Sequence, residues 1–331
     1  MKILFLGGTG NISTEVAALL HRRGHEVAVV TRGQRPVPKE YRQIIANRYD
    51  LESLRQATKD WTGDAVLDFI CFKKPQAEIA YNVFRGRAAQ YCFVSTAMVY
   101  QKPPIGRIPA TEDLPQGNAY SEYATAKIEC EAFFRQVAGP DFPVTVIRPS
   151  HTLGRGRYAT PLLTGDYTLI KRIADGRPVV IHDDGQWLWT TTSSADFAVG
   201  MAGLVGNPKA IGEAFHITSD QAVTWNCLFF EMGQAIGREP NVVHIPTDFL
   251  CREFPQFESP LKGDRAAHSI FDNTKIKRFA PGFQCRMSPR DIIRDSFAWY
   301  DEDPARRIVN AKTGALLDSV VERWRKAQTG R

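Results

Sequence analysis

Tyr123 and Lys127, in the stretch Tyr123-Ala-Thr-Ala-Lys127, stand four residues apart and so share one face of a helix. Upstream by 27 residues from Tyr123, Thr96 lies in the run Tyr91-Cys-Phe-Val-Ser95-Thr96, which reads as a strand ending in two hydroxyl side chains. A phenol, an ammonium and a hydroxyl suit the interconversion of an alcohol and a ketone, where a proton moves at oxygen while a hydride moves at carbon. A tyrosine of reference pKa about 10 becomes a useful base at neutral pH only if lowered by about 3 units, which takes roughly 4 kcal/mol. Lys127 is one source of that stabilisation, and the Thr96 hydroxyl would hold the reacting oxygen in line. The spacing alone would equally describe a pair on an exposed helix.

A hydride needs a carrier, and the N-terminus offers a seat for one. Gly7-Gly8-Thr9-Gly10-Asn11-Ile12-Ser13 follows the first strand and opens the first helix, the context a dinucleotide loop requires. Gly7 and Gly10 let the backbone turn and approach a pyrophosphate, which the amides at Asn11 and Ile12 and the helix N-terminus would hold. Ser13 takes the place of a third glycine and is small enough for close helix packing. The second strand ends in Thr31-Arg32-Gly33, with Arg35 nearby and no carboxylate ready for a ribose 2′-hydroxyl. A guanidinium there favours the 2′-phosphate of NADP, with NAD as the alternative. Two solvated loop arginines are the competing reading. Asp50 would accept from the adenine amino group or else cap the helix that follows it.

The elements that must position these residues alternate from the start. Strand-like runs at 2–7, 26–31, 43–48, 65–70, 90–96 and 144–150 are separated by helical patterns, the first from Asn11 to Gly24. This predicts an α/β protein: a Rossmann-type doubly wound parallel sheet over residues 1–154 and a smaller C-terminal substrate-binding domain over 155–331. A helix from Ala195 to about Val205 and a strand at 214–219 would rejoin the first unit at about 190–220. Apolar Leu316, Leu317, Val320, Val321 and Trp324 at helical spacing predict an amphipathic closing helix.

Composition narrows the class. The 331 residues are 43% apolar and 24% charged, an ordinary globular balance that excludes disordered and low-complexity classes. Neither a signal peptide nor a run of about 18 apolar residues is visible, and six scattered cysteines without Cys-x-x-Cys read as reduced thiols, so a cytoplasmic location and no membrane contact are expected. Most of the net charge of +6 falls in the basic tail from Arg306 onward. No platform of interleaved aromatic and basic residues accompanies it, so nucleic acid is not an expected partner. His21 and His25 lack companion ligands and His182-Asp183-Asp184 reads as a turn, so no metal is expected.

With loop 7–13, Thr96, Tyr123 and Lys127 together, the sequence resembles the extended short-chain dehydrogenase/reductase superfamily, in its NAD-dependent epimerase/dehydratase branch. Arg148-Pro149, Asp196-Phe-Ala198 and Asp272-Asn-Thr-Lys275 also match that branch's pattern. The resemblance implies that Thr96 is catalytic in preference to Ser95, that Tyr123 exchanges the proton, and that Lys127 also touches the cofactor ribose. It implies as well a small-molecule substrate, and leaves a homodimer open. Ala97 and Met98 stand where the branch's dehydratases carry an Asp-Glu pair, which disfavours dehydration. Trp189 stands where its nucleotide-sugar epimerases carry a diphosphate-binding arginine, and Arg155, Arg157 and Arg265 are candidate replacements. The reading is an NAD(P)-dependent epimerase or reductase acting on a sugar or nucleotide-sugar carbon. A reductase of a non-sugar carbonyl compound and a non-catalytic cofactor-binding or RNA-binding protein are its rivals.

Overall fold

Continuous apolar runs become strands here because both of their faces are covered. In the computed structural model, which describes residues 1–103, 106–163 and 165–330, the first half runs β1 (Lys2–Leu6), α1 (Ser13–Arg22), β2 (Glu26–Thr31), β3 (Arg42–Ile45), α2 (Leu51–Ala57), β4 (Gly63–Asp68), α3 (Lys74–Phe84), β5 (Ala88–Val94), α4 (Glu122–Val137) and β6 (Val144–Pro149). The chain continues with β7 (His151–Leu153), α5 (Tyr167–Ala174), β8 (Val179–His182), β9 (Leu188–Ser193), α6 (Ser194–Leu204), β10 (Ala214–Ile217), β11 (Ala222–Thr224), α7 (Trp225–Ile236), β12 (Val242–Ile245) and α8 (Thr247–Glu253). Helices Thr274–Phe279, Pro289–Asp301 and Ala311–Thr329 follow. Arg331, the last residue of the basic tail, lies outside the described residues.

Seven strands form one parallel sheet in the order β10-β6-β5-β4-β1-β2-β3, the doubly wound arrangement expected from the alternation. On one face Ile3, Phe5, Val27 and Val29 pack with Val16 and Leu20 of α1 and Phe197 and Met201 of α6. On the other, Leu4, Leu6 and Val30 meet Ala77 and Ala80 of α3 and Phe134 of α4. Gly24, at a φ of +82°, takes the left-handed conformation that ends α1. The strands expected at 43–48, 65–70 and 90–96 stop two or three residues earlier, because at this edge the chain leaves the ladder for loops that wall a cleft.

Past β6 the smaller region pairs β8 with β12 and lays β9 between β7 and β11. Its core is aromatic, with Trp189 and Trp225 buried among Ile173, Ile181 and Phe229. The closing helix sets Leu317, Val320 and Val321 against Val180, Ile245 and Leu250. The chain returns to the large sheet at α6 and β10, and again at Ile276, Ala280 and Phe283, which join the first core. That last return has no local signature, since its apolar residues are too few to reveal which sheet they cover. No helix among the described residues is long and apolar enough to cross a membrane.

Candidate functional site

The loop between β1 and α1 is shaped by two glycines and opened by a third. Gly7 has a φ of +86°, and a Cβ there would stand 2.7 Å from Ile70; one on Gly8 would stand 2.7 Å from Val29. A Cβ on Gly10 would meet only the Ser13 hydroxyl, at 3.3 Å. Ser13 in turn accepts from the Gly10 amide at 2.9 Å, so the departure from a third glycine serves the loop itself. Gly10 faces a cleft of ≈ 320 Å³ walled by Gly7, Thr31, Arg32, Arg35, Asn47 and Tyr49 among others, with three arginines and no carboxylate. Arg48 is buried and neutralised by Asp68, which also accepts from Tyr91 at 2.6 Å. Arg35 reaches back to the Thr9 carbonyl at 3.3 Å, and Arg32 has no side-chain partner among the described residues. An unfilled approach at Gly10, beside a cationic cleft, fits a dinucleotide.

Four expected cofactor residues have side chains engaged within the protein. Asp50 accepts from Ser53 N at 2.6 Å as the N-cap of α2 and does not line the cleft, because the orphan amide of its own helix is nearer than any ligand. Asn47 and Tyr49, just before Asp50 along the chain, line the cleft instead. Asn11 turns its amide to the Thr152 carbonyl at 2.9 Å and accepts from Gly154 N at 2.8 Å, bridging the loop after β7. Ile12 packs its side chain on the core beneath, which leaves only its backbone for a ligand. The Thr31 hydroxyl is occupied by Gly33 N and Gln43.

Across the sheet edge, β5 delivers Thr96 and α4 delivers Tyr123 and Lys127. Thr96 is 8% exposed, and its hydroxyl accepts from Met98 N at 3.2 Å while lying near enough to the Tyr123 phenol to act on its acidity. Burial around the phenol pushes it up to about 12, while the Thr96 hydroxyl pulls the other way and the charge of Asp264 adds to the rise. Lys127 is buried, donating to the Cys71 carbonyl at 2.7 Å and the Val94 carbonyl at 2.8 Å, and burial pulls its ammonium down. Its Nζ lies 5.8 Å from the centre of the Tyr123 ring. The lowering expected from the sequence draws on Lys127 together with the positive nicotinamide of a bound cofactor, and of these two only Lys127 stands by the phenol ring here.

Ser95 points the other way, donating to Glu131 at 2.5 Å. Glu131 also accepts from Gln116 and twice from Arg148, at 3.0 and 2.6 Å, and Arg148 donates to Tyr100 at 3.0 Å. This network under Thr96 was missed from the sequence; the signal available was Glu131 on the same helix face as Lys127. The substrate candidates separate. Trp189 is 1% exposed, tilted against Trp225 and edge-on to His151, so its ring belongs to the core and offers no surface to a ligand. Arg155 pairs with Asp295 and Glu302 in a second cleft of ≈ 630 Å³, where Arg157 also lies. Arg265 follows Asp264 in a π-helical turn and donates to the Pro161 carbonyl at 3.2 Å.

Comparison with known proteins gives the same frame. Residues 3–218 match the NAD dependent epimerase/dehydratase family. The chain is 25% identical over 334 residues to the 2'-dehydrokanamycin reductase of Streptomyces kanamyceticus, covering 99% of this chain and 92% of that protein. It is 26% identical over 265 residues to a chloroplast stem-loop binding protein of Arabidopsis thaliana, covering 75% of this chain and 67% of that one. In fold it is similar to the UDP-glucose 4-epimerase of Bifidobacterium longum, at a TM-score of 0.73 and 17% identity over 92% of this chain and 99% of that one.

Proposed function

The chain belongs to the NAD dependent epimerase/dehydratase family, a family of NAD-dependent enzymes, and we propose that it is an NADPH-dependent reductase of a keto group on a sugar-type ring. The observation that carries this reading is the Thr96–Tyr123–Lys127 constellation, brought together where β5 ends and α4 begins. Reduction begins with a proton on the acid, whereas alcohol oxidation needs the phenolate first. A nicotinamide cofactor, when bound, supplies the hydride. Tyr123 gives its proton to the carbonyl oxygen as the C=O pair withdraws onto that oxygen, and solvent returns a proton to the phenolate. Thr96 holds the oxygen against the phenol, and Lys127 stabilises the phenolate that forms. Gly7, Gly10 and the amides at Asn11 and Ile12 would hold the pyrophosphate, and Arg32 the 2′-phosphate.

Ala97 and Met98 supply no acid-base pair for elimination, so dehydration has no groups to carry it. A 2'-dehydrokanamycin reductase, 25% identical over 99% of the chain against 22% over 94% for a UDP-glucose 4-epimerase of Oryza sativa, favours reduction over epimerisation. The test is redox stoichiometry. With NADPH and 2′-dehydrokanamycin the protein is expected to oxidise one cofactor per turnover, read as loss of near-ultraviolet absorbance, and to leave UDP-glucose unchanged. Tyr123→Phe should keep fold and cofactor while losing at least about 100-fold in rate. Inversion of UDP-glucose without net cofactor loss would replace the reductase with an epimerase, and full activity in Tyr123→Phe would contradict both.

A further inference from the structure

Between Tyr100, Ala110 and the π-helical turn Leu261–Arg265 lies a cavity of ≈ 120 Å³ that contains two opposite charges, Lys102 and Asp264. Among the described residues neither side chain makes a hydrogen bond or an ion pair, and the two do not touch, although each feels the other's charge. Both residues are half-buried; burial pulls the Lys102 ammonium down and pushes the Asp264 carboxyl up, while the charges of Arg265 and Lys102 pull the carboxyl back. The turn is fixed in place: Asn118 donates to the Gly263 carbonyl at 2.7 Å, and a Cβ on Gly263 would stand 3.3 Å from Ser121, the N-cap of α4. One turn into α4 comes Tyr123, whose phenol lies within reach of the Asp264 charge. Ala97, directly after Thr96, lines the same cavity. π-helical turns of this kind occur often at functional sites.

Resting on the reductase reading, we propose that Lys102 and Asp264 form a fork for one substrate hydroxyl near the reacting carbon, which accepts from Lys102 and donates to Asp264. A hydroxyl is the one neutral group that does both at a single oxygen. A gap too wide for a direct ion pair leaves room for that oxygen between the two charges. The substrate class this selects is a polyhydroxylated ring whose ketone lies close to a free hydroxyl. A phosphoryl group in the same place would meet the Asp264 carboxylate. His268 and Arg107 also line the cavity, Arg107 paired with Asp113, and the charge of Arg265, which donates to the Pro161 carbonyl, acts on the Asp264 carboxylate together with that of Lys102.

The experiment compares the parent with Asp264→Asn, Lys102→Met and the double variant, all loaded with NADPH, using 2′-dehydrokanamycin as probe and recording kcat and KM separately. Each single change should raise KM about 10- to 100-fold. Cofactor affinity and circular dichroism should stay unaltered. The double variant should be little worse than the poorer single one, because the two groups share one oxygen. Independent, additive losses, or KM values equal to the parent's, would overturn the fork while leaving the reductase standing. If the parent turns over no ketone, the reductase reading fails first, and calorimetric titration of the NADP-loaded protein with kanamycin is read in its place. Binding that weakens in both single variants then supports the fork, and absent or unaltered binding overturns it.

Discussion

On the proposed NADPH-dependent reading, replacing Arg32 by alanine should leave the two cofactors scarcely distinguished. Of the three arginines on the adenosine cleft, Arg48 is spent on Asp68 and on the Gln76 carbonyl at 2.9 Å, and Arg35 is turned toward Thr9. Arg32 is left as the cation without a partner among the described residues, just past the end of β2 where a carboxylate would serve NAD. A hydrogen bond to a charged group contributes about 1.5–3 kcal/mol, or roughly 10- to 150-fold in affinity. Exposure of Arg32 sets the expectation at the lower end, and screening with a Debye length of about 10 Å at 0.1 M salt should erode it further as salt rises. Calorimetric titration with NADPH and NADH at two salt concentrations measures this. Arg32→Ala should weaken NADPH by about 10-fold or more and leave NADH unchanged. Equal affinities in the parent, or equal losses for both cofactors, would refute the assignment and return Arg32 to a solvated loop charge.

Gly10→Val should fold with nearly parental Tm, since its Cβ meets little but Ser13, yet lose dinucleotide binding in calorimetry because the side chain fills the pyrophosphate approach. Binding at parental affinity would move the site elsewhere. Glu131→Ala leaves Arg148 buried without its partner, at a cost of about 3–5 kcal/mol. Over 331 residues that corresponds to a Tm lower by about 4–7 °C by calorimetry. Adding Arg148→Met should recover part of that loss, and a double variant worse than the single would contradict the pairing. His182 and His216 are fully buried, and burial pulls them down to about 4 and about 3. Their folded values lie below the unfolded one, so the stability they contribute is present above about pH 6.5 and lost on acidification. Each histidine should withdraw up to about 1.4 kcal/mol per unit between about pH 6.5 and 4. A Tm that stays flat from pH 7 to 5 would show that these rings are not buried neutral.

What the sequence determined by itself is what short-range geometry enforces. Tyr123 and Lys127 share a face because any helix puts residues four apart together. Gly7 and Gly10 mark a phosphate loop because strand, turn and helix occupy a single unbroken stretch. The parallel sheet was legible because strands covered on both faces carry continuous apolar runs. Competition between nearby and distant partners was not legible. Asp50 met an amide of its own helix before any adenine, and Asn11 was drawn to Thr152, 141 residues away. Trp189 stands where the family resemblance implies a ligand-binding arginine, yet β9 turns its ring into the core against Trp225. Lys102 and Asp264 come from distant parts of the chain, meeting only where Asn118 ties the π-helical turn to the start of α4. Tertiary structure alone decided them, because burial and the absence of a nearer partner are properties of the packed molecule and leave no periodicity in the chain.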